Sequence, residues 1–311
     1  MGAAPTGFSA RIKANAANGA VDFLDYCQTL GLGGAELRGG PPLDAEAIRK
    51  FRARLESYQM HVTFNVRLPA SDADLGAFES SVKAARECGA YALHAAMTQR
   101  RYEEFSSLAD YEKSFARNQQ QIALAEPVLR RNKVRLAVEN HKGWSAVEQA
   151  TWMKRISSEW VGVHFDFGNN VSFCEDPMFT LDTLQPWILA CHIKDMAVER
   201  YEEGFLLSEV PLGDGFLDLK TMVAKLRAQA IFDLEMITRD PLKIPVLTEH
   251  YWATFRDMPA SQLAATLSLV DKHPPKKPLP RIAGLSFAAQ LKLEGDNNQA
   301  SIDYARQHLG M

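Results

Sequence analysis

The segment Arg135-Leu136-Ala137-Val138-Glu139-Asn140-His141 contains a short apolar run that ends in Glu139, a residue able to bind a metal, and three later apolar runs end in such a residue too. They are Val161-Gly162-Val163-His164-Phe165-Asp166, Leu189-Ala190-Cys191-His192 and Ile231-Phe232-Asp233-Leu234-Glu235. Short apolar runs rich in β-branched residues are typical of buried parallel strands. The four runs therefore predict four successive strands, each ending in a side chain that can bind a metal.

The spacing of these strand ends indicates how the strands are connected. Glu139, Asp166, His192 and Glu235 are separated by 27, 26 and 43 residues, and a strand-helix unit needs roughly 30. A chain of 311 residues can hold a (β/α)8 TIM barrel, whose typical size is roughly 250 residues. Because such barrels gather the C-terminal ends of their strands at one mouth, we expect the four side chains to converge there.

The rest of the chain supplies the other elements of an eight-stranded barrel. Strands are predicted at residues 8–14, 35–37, 61–66 and 91–95, and Val21, Leu24, Cys27 and Leu30 predict the first helix. Residues 195–216 are interpreted as a long polar lid loop, and Leu263, Leu267 and Val270 as the last barrel helix. We place the barrel at residues 1–272 and a C-terminal extension, with a short helix at 301–309, at residues 273–311. The apolar spacing of that helix makes a homodimer a further prediction.

Composition argues against several classes of partner. The net charge is −3, from 35 basic and 38 acidic residues, so there is no reason to expect nucleic acid held by a broad basic face. No run approaches the roughly 18 apolar residues of a membrane span, and the four cysteines lack metal-type spacing. We expect a soluble, cytoplasmic protein with buried thiols. A periplasmic location stays open if a leader was removed.

The chemistry of the four strand-end residues predicts a metal centre. Three carboxylates and one imidazole suit Mn²⁺, Mg²⁺ or Co²⁺ in six-coordinate geometry, and Zn²⁺ is a further alternative. Four protein ligands leave two positions for substrate oxygens, and a site charge of about −1 with a divalent ion favours neutral polyols and hydroxyketones. The alternative reading is that acidic residues collect at strand ends near helix N-termini for electrostatic reasons alone.

Other polar residues are expected at the same mouth. His141 follows Glu139, Lys194 follows His192 and Arg239 follows Glu235. Glu36 lies in the predicted strand at residues 35–37, pointing toward the mouth, and is as readily a loop cap as a substrate contact. His94 lies at the end of the predicted strand at residues 91–95, where it is as readily a core residue as a substrate contact. We predict a catalytic role for His141 and substrate contacts for Glu36, His94, Lys194 and Arg239.

The segments LAVENH, VGVHFDFGNN, CHIKDM, PLGDGFLD and DLEMI resemble those of the xylose isomerase-like superfamily, the sugar phosphate isomerase/epimerase group. The resemblance implies a TIM barrel in which Glu139, Asp166, His192 and Glu235 bind one divalent ion, with Mn²⁺ favoured. It also implies that Glu139 and Glu235 shuttle the substrate proton. One position departs from the pattern: Asn169 stands where the epimerases and the endonuclease branch carry a histidine, and we assign it to substrate binding. The histidine pattern of the endonuclease branch is missing as well.

These features predict an isomerase or epimerase that removes a proton next to the carbonyl of a ketose through a metal-bound enediolate. The same enediolate could expel a neighbouring oxygen, so a lyase or dehydratase acting on a keto-sugar or keto-glycoside is the alternative. A catalytically inactive barrel that binds a carbohydrate or a partner protein is a third reading.

Overall fold

The computed structural model describes residues 1–16, 22–98 and 100–311. Its eight parallel strands close into a barrel in which each strand pairs with the next along the chain and the last pairs with the first. This confirms the predicted (β/α)8 architecture. The barrel strands are β1 (Gly2–Ala3), β2 (Gly34–Leu37), β3 (His61–Asn65), β4 (Ala92–Ala95), β5 (Leu136–Glu139), β6 (Val161–Asp166), β7 (Ile188–Ile193) and β10 (Ile231–Leu234).

Helices cover the outer face of the barrel, so its strands are buried on both faces. Every residue of β5 and β6 is buried, for example. None of the described helices is long and apolar enough to cross a membrane. The helices are α1 (Ser9–Ala16), α2 (Phe23–Thr29), α3 (Ala45–Tyr58), α4 (Leu75–Cys88), α5 (Arg101–Glu104), α6 (Leu108–Asn132), α7 (Ala146–Ile156), α8 (Pro177–Leu184), α9 (Leu219–Leu226), α10 (Glu249–Trp252), α11 (Ala260–Lys272) and α12 (Phe287–Tyr304).

Local sequence signals account for many of these boundaries. Ser145 and Glu148 form the expected capping box at the start of α7, in which each side chain accepts the other residue's backbone N–H. The predicted first helix corresponds to α2, which buries Leu24 and Cys27. Val21, which belongs to the same predicted pattern, lies outside the described residues.

The first barrel strand is Gly2–Ala3, and the prediction of a strand at residues 8–14 is wrong. Pro5 begins a 3-10 turn that leads directly into α1. Phe8 and Ile12 are four residues apart, so they lie on one face of a helical segment, and both pack against the barrel core. Apolar content alone did not separate this helical face from a buried strand.

The predicted lid loop at residues 195–216 is also wrong, because most of it forms an antiparallel hairpin. Strands β8 (Asp195–Tyr201) and β9 (Gly204–Val210) pair along their whole length, and β11 (Leu242–Ile244) joins the free edge of β9. Alternate side chains of the hairpin, including Val198 and Leu207, enter a second hydrophobic cluster. Helix α11 covers this three-stranded sheet, so Leu263, Leu267 and Val270 pack there and not on the barrel.

The C-terminal helix is longer than the short helix predicted at residues 301–309. Helix α12 begins at Phe287, packs against α1, and continues into a single π-helical turn over residues 305–309. Ile302, Ala305 and Leu309 are buried in the main core of their own chain. The side chains that motivated the homodimer are therefore occupied within the chain, and both the homodimer and the domain boundary at residue 272 stay predictions.

Candidate metal centre at the barrel mouth

The structure brings the four strand-end residues together in one buried cluster. Strand register places Asp166 beside His192, and Glu235 follows directly after β10. His192 Nδ1 lies 3.5 Å from Glu235 Oε2, 3.8 Å from Glu139 Oε1 and 4.0 Å from Asp166 Oδ2. None of the four residues is more than 6 % exposed. Three acidic oxygens therefore surround one imidazole nitrogen in a space that bulk water does not fill.

The orientation of His192 suits metal binding. Its Nε2 lies 2.9 Å from Glu36 Oε2, whereas its buried Nδ1 has no hydrogen-bond partner among the described residues. A histidine that binds a metal through one nitrogen commonly holds a carboxylate with the other, which fixes the tautomer and the ring orientation. The orphaned Nδ1 and the converging carboxylates therefore fit a divalent ion. Glu36, predicted to contact substrate, instead lies behind His192.

A second group of possible ligands lies deeper in the barrel. Glu36, His164 and His192 also come close enough to share an ion. Within that group, His192 Nε2 already pairs with Glu36 at 2.9 Å, so the deeper group is better explained as support for the upper one. Burial, followed by the nearby His192 and His94 rings, holds the pKa of His164 well below its usual range, so this histidine is neutral.

Lys194 inserts a positive charge into the carboxylate cluster. Its Nζ lies 2.5 Å from Glu235 Oε2 and 2.6 Å from Asp166 Oδ2. Burial alone would lower the pKa of Lys194, but Asp166 and Glu235 outweigh it and raise that pKa. The lysine is therefore a permanent cation that partly neutralises the site. Thr6 completes the surroundings of Glu235 by donating to its Oε1 at 2.5 Å.

Asn169 links the cluster to a lysine that the sequence reasoning overlooked. Its Nδ2 donates to Glu139 Oε1 at 3.0 Å and its backbone N–H donates to Asp166 Oδ1 at 2.9 Å. Its Oδ1 accepts from the Nζ of Lys142, which is buried. Lys142 lies in the loop that follows Glu139, next to His141, so its position in the sequence did carry a signal.

A family model described as a xylose isomerase-like TIM barrel matches residues 24–254. The chain belongs to this family. No curated protein matches it at the level of sequence.

Several solved structures resemble this xylose isomerase-like chain in fold. D-psicose 3-epimerase with D-tagatose from Clostridium cellulolyticum H10 is 15% identical, with a TM-score of 0.55 over 92% of this chain and 93% of that one. The probable 3-DHS dehydratase AsbF from Bacillus anthracis is 12% identical, with a TM-score of 0.54 over 83% and 100%. The IOLI protein with a binding zinc atom is 14% identical, with a TM-score of 0.53 over 87% and 98%. At these identities the likeness establishes the shared barrel fold.

The hairpin contributes a charged side chain to the mouth of this xylose isomerase-like barrel. Glu209 on β9 is buried and accepts two hydrogen bonds from Arg239, and it lies 3.9 Å from Lys194 Nζ. Arg239 therefore belongs to the mouth, as expected. Glu209 was missed because its segment was interpreted as a loop, and nothing in the sequence pairs it with Arg239.

The two predicted mouth histidines differ in their surroundings. His94 is buried between Asn65 Oδ1 at 2.8 Å and Glu139 Oε2 at 3.1 Å, so it contacts a cluster carboxylate from below. His141 is half-buried, and its Nδ1 lies 2.8 Å from the carbonyl oxygen of Thr98. Burial lowers the pKa of His141 despite the nearby Glu139. His141 therefore lies at the mouth, and His94 supports Glu139.

Asp195, directly after Lys194, anchors the chain that returns from the hairpin. Its Oδ2 accepts the backbone N–H groups of Gly213 and Gly215, each at 2.9 Å, and its Oδ1 accepts those of Met196 and Leu217. A Cβ on Gly215 would come within 2.1 Å of Asp195 Oδ1, so only glycine permits this close approach. The motif PLGDGFLD is thereby fixed to the end of β7.

Proposed function

We propose that this chain is a divalent-metal-dependent sugar isomerase or epimerase that removes a proton next to the carbonyl of a ketose. The observation that carries the proposal is the convergence of Glu139, Asp166 and Glu235 on the unpartnered Nδ1 of His192. The family and the structural likeness to a D-psicose 3-epimerase support it. The substrate class is a small carbohydrate.

Glu139, Asp166, His192 and Glu235 would hold the ion. The oxygen-rich donor set favours Mn²⁺, with Mg²⁺, Co²⁺ or Zn²⁺ as alternatives. When bound, such an ion acidifies a C–H bond by polarising the neighbouring carbonyl oxygen. Glu36 fixes the ring of His192 from behind, which is a positioning role in place of the substrate contact predicted from the sequence.

The two glutamates would move the proton. Glu139 ends β5, whereas Glu235 follows β10 three strands further around the barrel. They therefore approach a bound sugar from different sides, so one can take a proton that the other returns with inversion of the carbon. We assign Asn169, Lys194, Arg239 and His141 to the substrate oxygens, with His141 able to exchange a proton.

A lyase or dehydratase is the second candidate, and Asn169 is the observation that favours it. This asparagine cannot transfer a proton, and it holds a buried lysine beside Glu139. A positioned cationic acid next to a base suits the loss of a substrate oxygen. The structural likeness to a probable 3-DHS dehydratase is compatible with this chemistry.

Solvent deuterium incorporation tests the proposal. Protein loaded with Mn²⁺ is incubated in D₂O with D-fructose, D-tagatose or D-psicose, and the sugars are analysed by NMR and mass spectrometry. Deuterium at one carbon of an intact sugar supports epimerisation, and a dehydrated product supports the lyase. Glu139→Gln and Glu235→Gln should each lower exchange by roughly 10²–10⁴-fold.

The matched control is Glu159→Gln, an exposed glutamate that follows α7. Because Glu139 and Glu235 are also proposed ligands, the Mn²⁺ content of each variant is measured alongside its exchange rate. If both glutamine variants exchange deuterium as fast as the unmodified protein, neither form of the proposal stands.

A further inference from the structure

Two lysines lie in the barrel mouth, and their surroundings are opposite. Lys194 is clamped by the carboxylates of Asp166 and Glu235 at 2.6 and 2.5 Å. Lys142 is only 4 % exposed, yet its Nζ donates only to the neutral Oδ1 of Asn169, and no carboxylate of the described residues lies within ion-pair distance of it. A buried ammonium carries three donors. Lys142 therefore has donors left for a ligand.

The charged groups that face Lys142 come from several elements. They are Lys194 after β7, Asp166 at the end of β6, Arg239 after β10 and Glu209 on β9, and the adjacent imidazole of His141 interacts with Lys142 as well. Burial, followed by the neighbouring Lys194, lowers the pKa of Lys142 to about 8. When environments push the pKa values of paired groups apart, one member becomes a fixed charge and the other an acid or base. Here Lys194 is the fixed charge and Lys142 is the titrating group.

The position of Lys142 relative to Glu139 indicates which proton it handles. A single carboxamide separates them, because Asn169 accepts from Lys142 Nζ through Oδ1 and donates to Glu139 Oε1 through Nδ2 at 3.0 Å. Acid and base therefore lie on the same side of the site. That spacing suits a C–H proton and a leaving oxygen on adjacent carbons of one substrate. The donors of Lys194 face carboxylates, and His141 Nδ1 faces the Thr98 carbonyl oxygen.

We propose that Lys142 is the general acid that protonates the departing oxygen when the site eliminates water or an alcohol from a keto-sugar. The inference rests on the proposed function, because both begin with the same proton abstraction. Glu139 takes the proton next to the carbonyl, the C–H electron pair forms the C=C bond, and the adjacent C–O bond breaks. The oxygen leaves with the Lys142 proton as water or alcohol. No oxidant or reductant is consumed. Glu139 then releases its proton to solvent, and Lys142 takes one from solvent.

The dependence on the leaving group tests this role. The probes are methyl and 4-nitrophenyl 3-keto-β-D-glucopyranoside, whose C2 proton lies next to the ketone and whose C1 oxygen leaves. Methoxide needs a proton to leave, whereas 4-nitrophenoxide needs little help. In Lys142→Met, methanol release should fall by roughly 10²–10⁴-fold, and the ratio of 4-nitrophenol to methanol release should rise at least tenfold. Lys154→Met, an exposed lysine on α7, is the matched control.

Two further measurements distinguish proton donation by Lys142 from an effect of its positive charge. Lys142→Arg keeps the positive charge but cannot lose a proton near neutral pH, so it should show the same rise in the 4-nitrophenol to methanol ratio. In the unmodified protein, methanol release should decline above about pH 8, where Lys142 loses its proton, and Lys142→Met should lack this alkaline decline. Thermal unfolding and Mn²⁺ content establish that both variants are folded and loaded.

Each outcome bears on one idea. If Lys142→Met releases methanol at the unmodified rate, or if Lys142→Arg restores that rate, Lys142 is not the acid and the proposed function still stands. An equal loss of methanol and 4-nitrophenol release would show a binding role and would also overturn the inference. The proposed function fails instead if the unmodified protein incorporates deuterium neither into the ketoses nor at C2 of either glucoside.

Discussion

Lys194 is the residue on which the balance of charge in the site depends. Its ammonium lies between Asp166 and Glu235, two of the groups proposed to bind the ion. In the absence of a metal it compensates two buried carboxylates, and removing one partner of a buried charge cluster leaves the others unpaired. A divalent ion would compete with the lysine for the same oxygens.

We therefore expect Lys194→Met to make the fold depend on metal. In the presence of EDTA the variant should lose about 3–5 kcal/mol of unfolding free energy, and Mn²⁺ should restore more stability to it than to the unmodified protein. Denaturant unfolding with and without Mn²⁺ measures both values. Lys225→Met is the control, because Lys225 forms an exposed pair with Asp182, which is worth less than about 1 kcal/mol. Equal losses in EDTA for the two variants would contradict this account.

At the scale of residues, the sequence predicted the side chains that end barrel strands better than those that lie between elements. Asp166 and His192 could be located because an apolar strand points each of them at the mouth. Lys142 was overlooked because a loop lysine is usually solvated, and only the fold shows that this one is buried. The position of Glu209 depends on the hairpin, which joins residues that no local pattern relates.

The hairpin of β8 and β9 brings Glu209 to the mouth of the barrel, and Asp195 holds the segment that returns from the hairpin beside the end of β7. A carboxylate accepts all four backbone N–H groups there. Asparagine at this position would direct an NH₂ group at donors that need an acceptor. Leaving a fully buried donor unsatisfied costs about 1–3 kcal/mol, and three of these four hydrogen bonds are partly buried.

Asp195→Asn should accordingly loosen residues 213–217 and displace Glu209 and Lys194 from the site. Hydrogen exchange of the Gly213 and Gly215 amides should accelerate at least tenfold, and the unfolding free energy should fall by about 2–4 kcal/mol. Asp218→Asn is the control, since Asp218 caps α9 by accepting from Thr221 N–H and asparagine caps about as well. Unchanged exchange at the two glycine amides would show that Asp195 does not hold this segment.

Most barrel strands and helices followed from the sequence, and the two segments that were given the wrong secondary structure share a physical cause. Residues 8–14 and 195–216 mix apolar and polar residues over short spans. The periodicity of their apolar residues alone therefore did not decide between helix, strand and loop. The hairpin forms because its alternate side chains have a cluster to enter, and that cluster includes α11 from far along the chain. Tertiary packing therefore decided the local structure.

In the molecule as a whole, the C-terminal helix packs against the N-terminal segment of the chain. Glu294 on α12 accepts the backbone N–H groups of Ala10 and Arg11 at 2.7 and 2.8 Å. Asn298 donates to the carbonyl oxygen of Gly7 at 2.7 Å. The N-terminal segment held in this way carries Thr6, which donates to Glu235 in the site. Residues 273–311 thus contribute to the order of the mouth. The sequence showed the apolar spacing of this helix but not the surface that it covers.

We propose that the mouth holds one divalent ion on Glu139, Asp166, His192 and Glu235. Equilibrium titration of metal-free protein with Mn²⁺, followed by EPR of the free ion, tests it most directly. We expect one ion per chain and at least a hundredfold weaker binding in Asp166→Asn and in His192→Gln. Asp176→Asn, a helix cap outside the cluster, should bind as the unmodified protein does. Two ions per chain, no binding, or binding unaffected by both substitutions would show that these four residues do not form a single metal site.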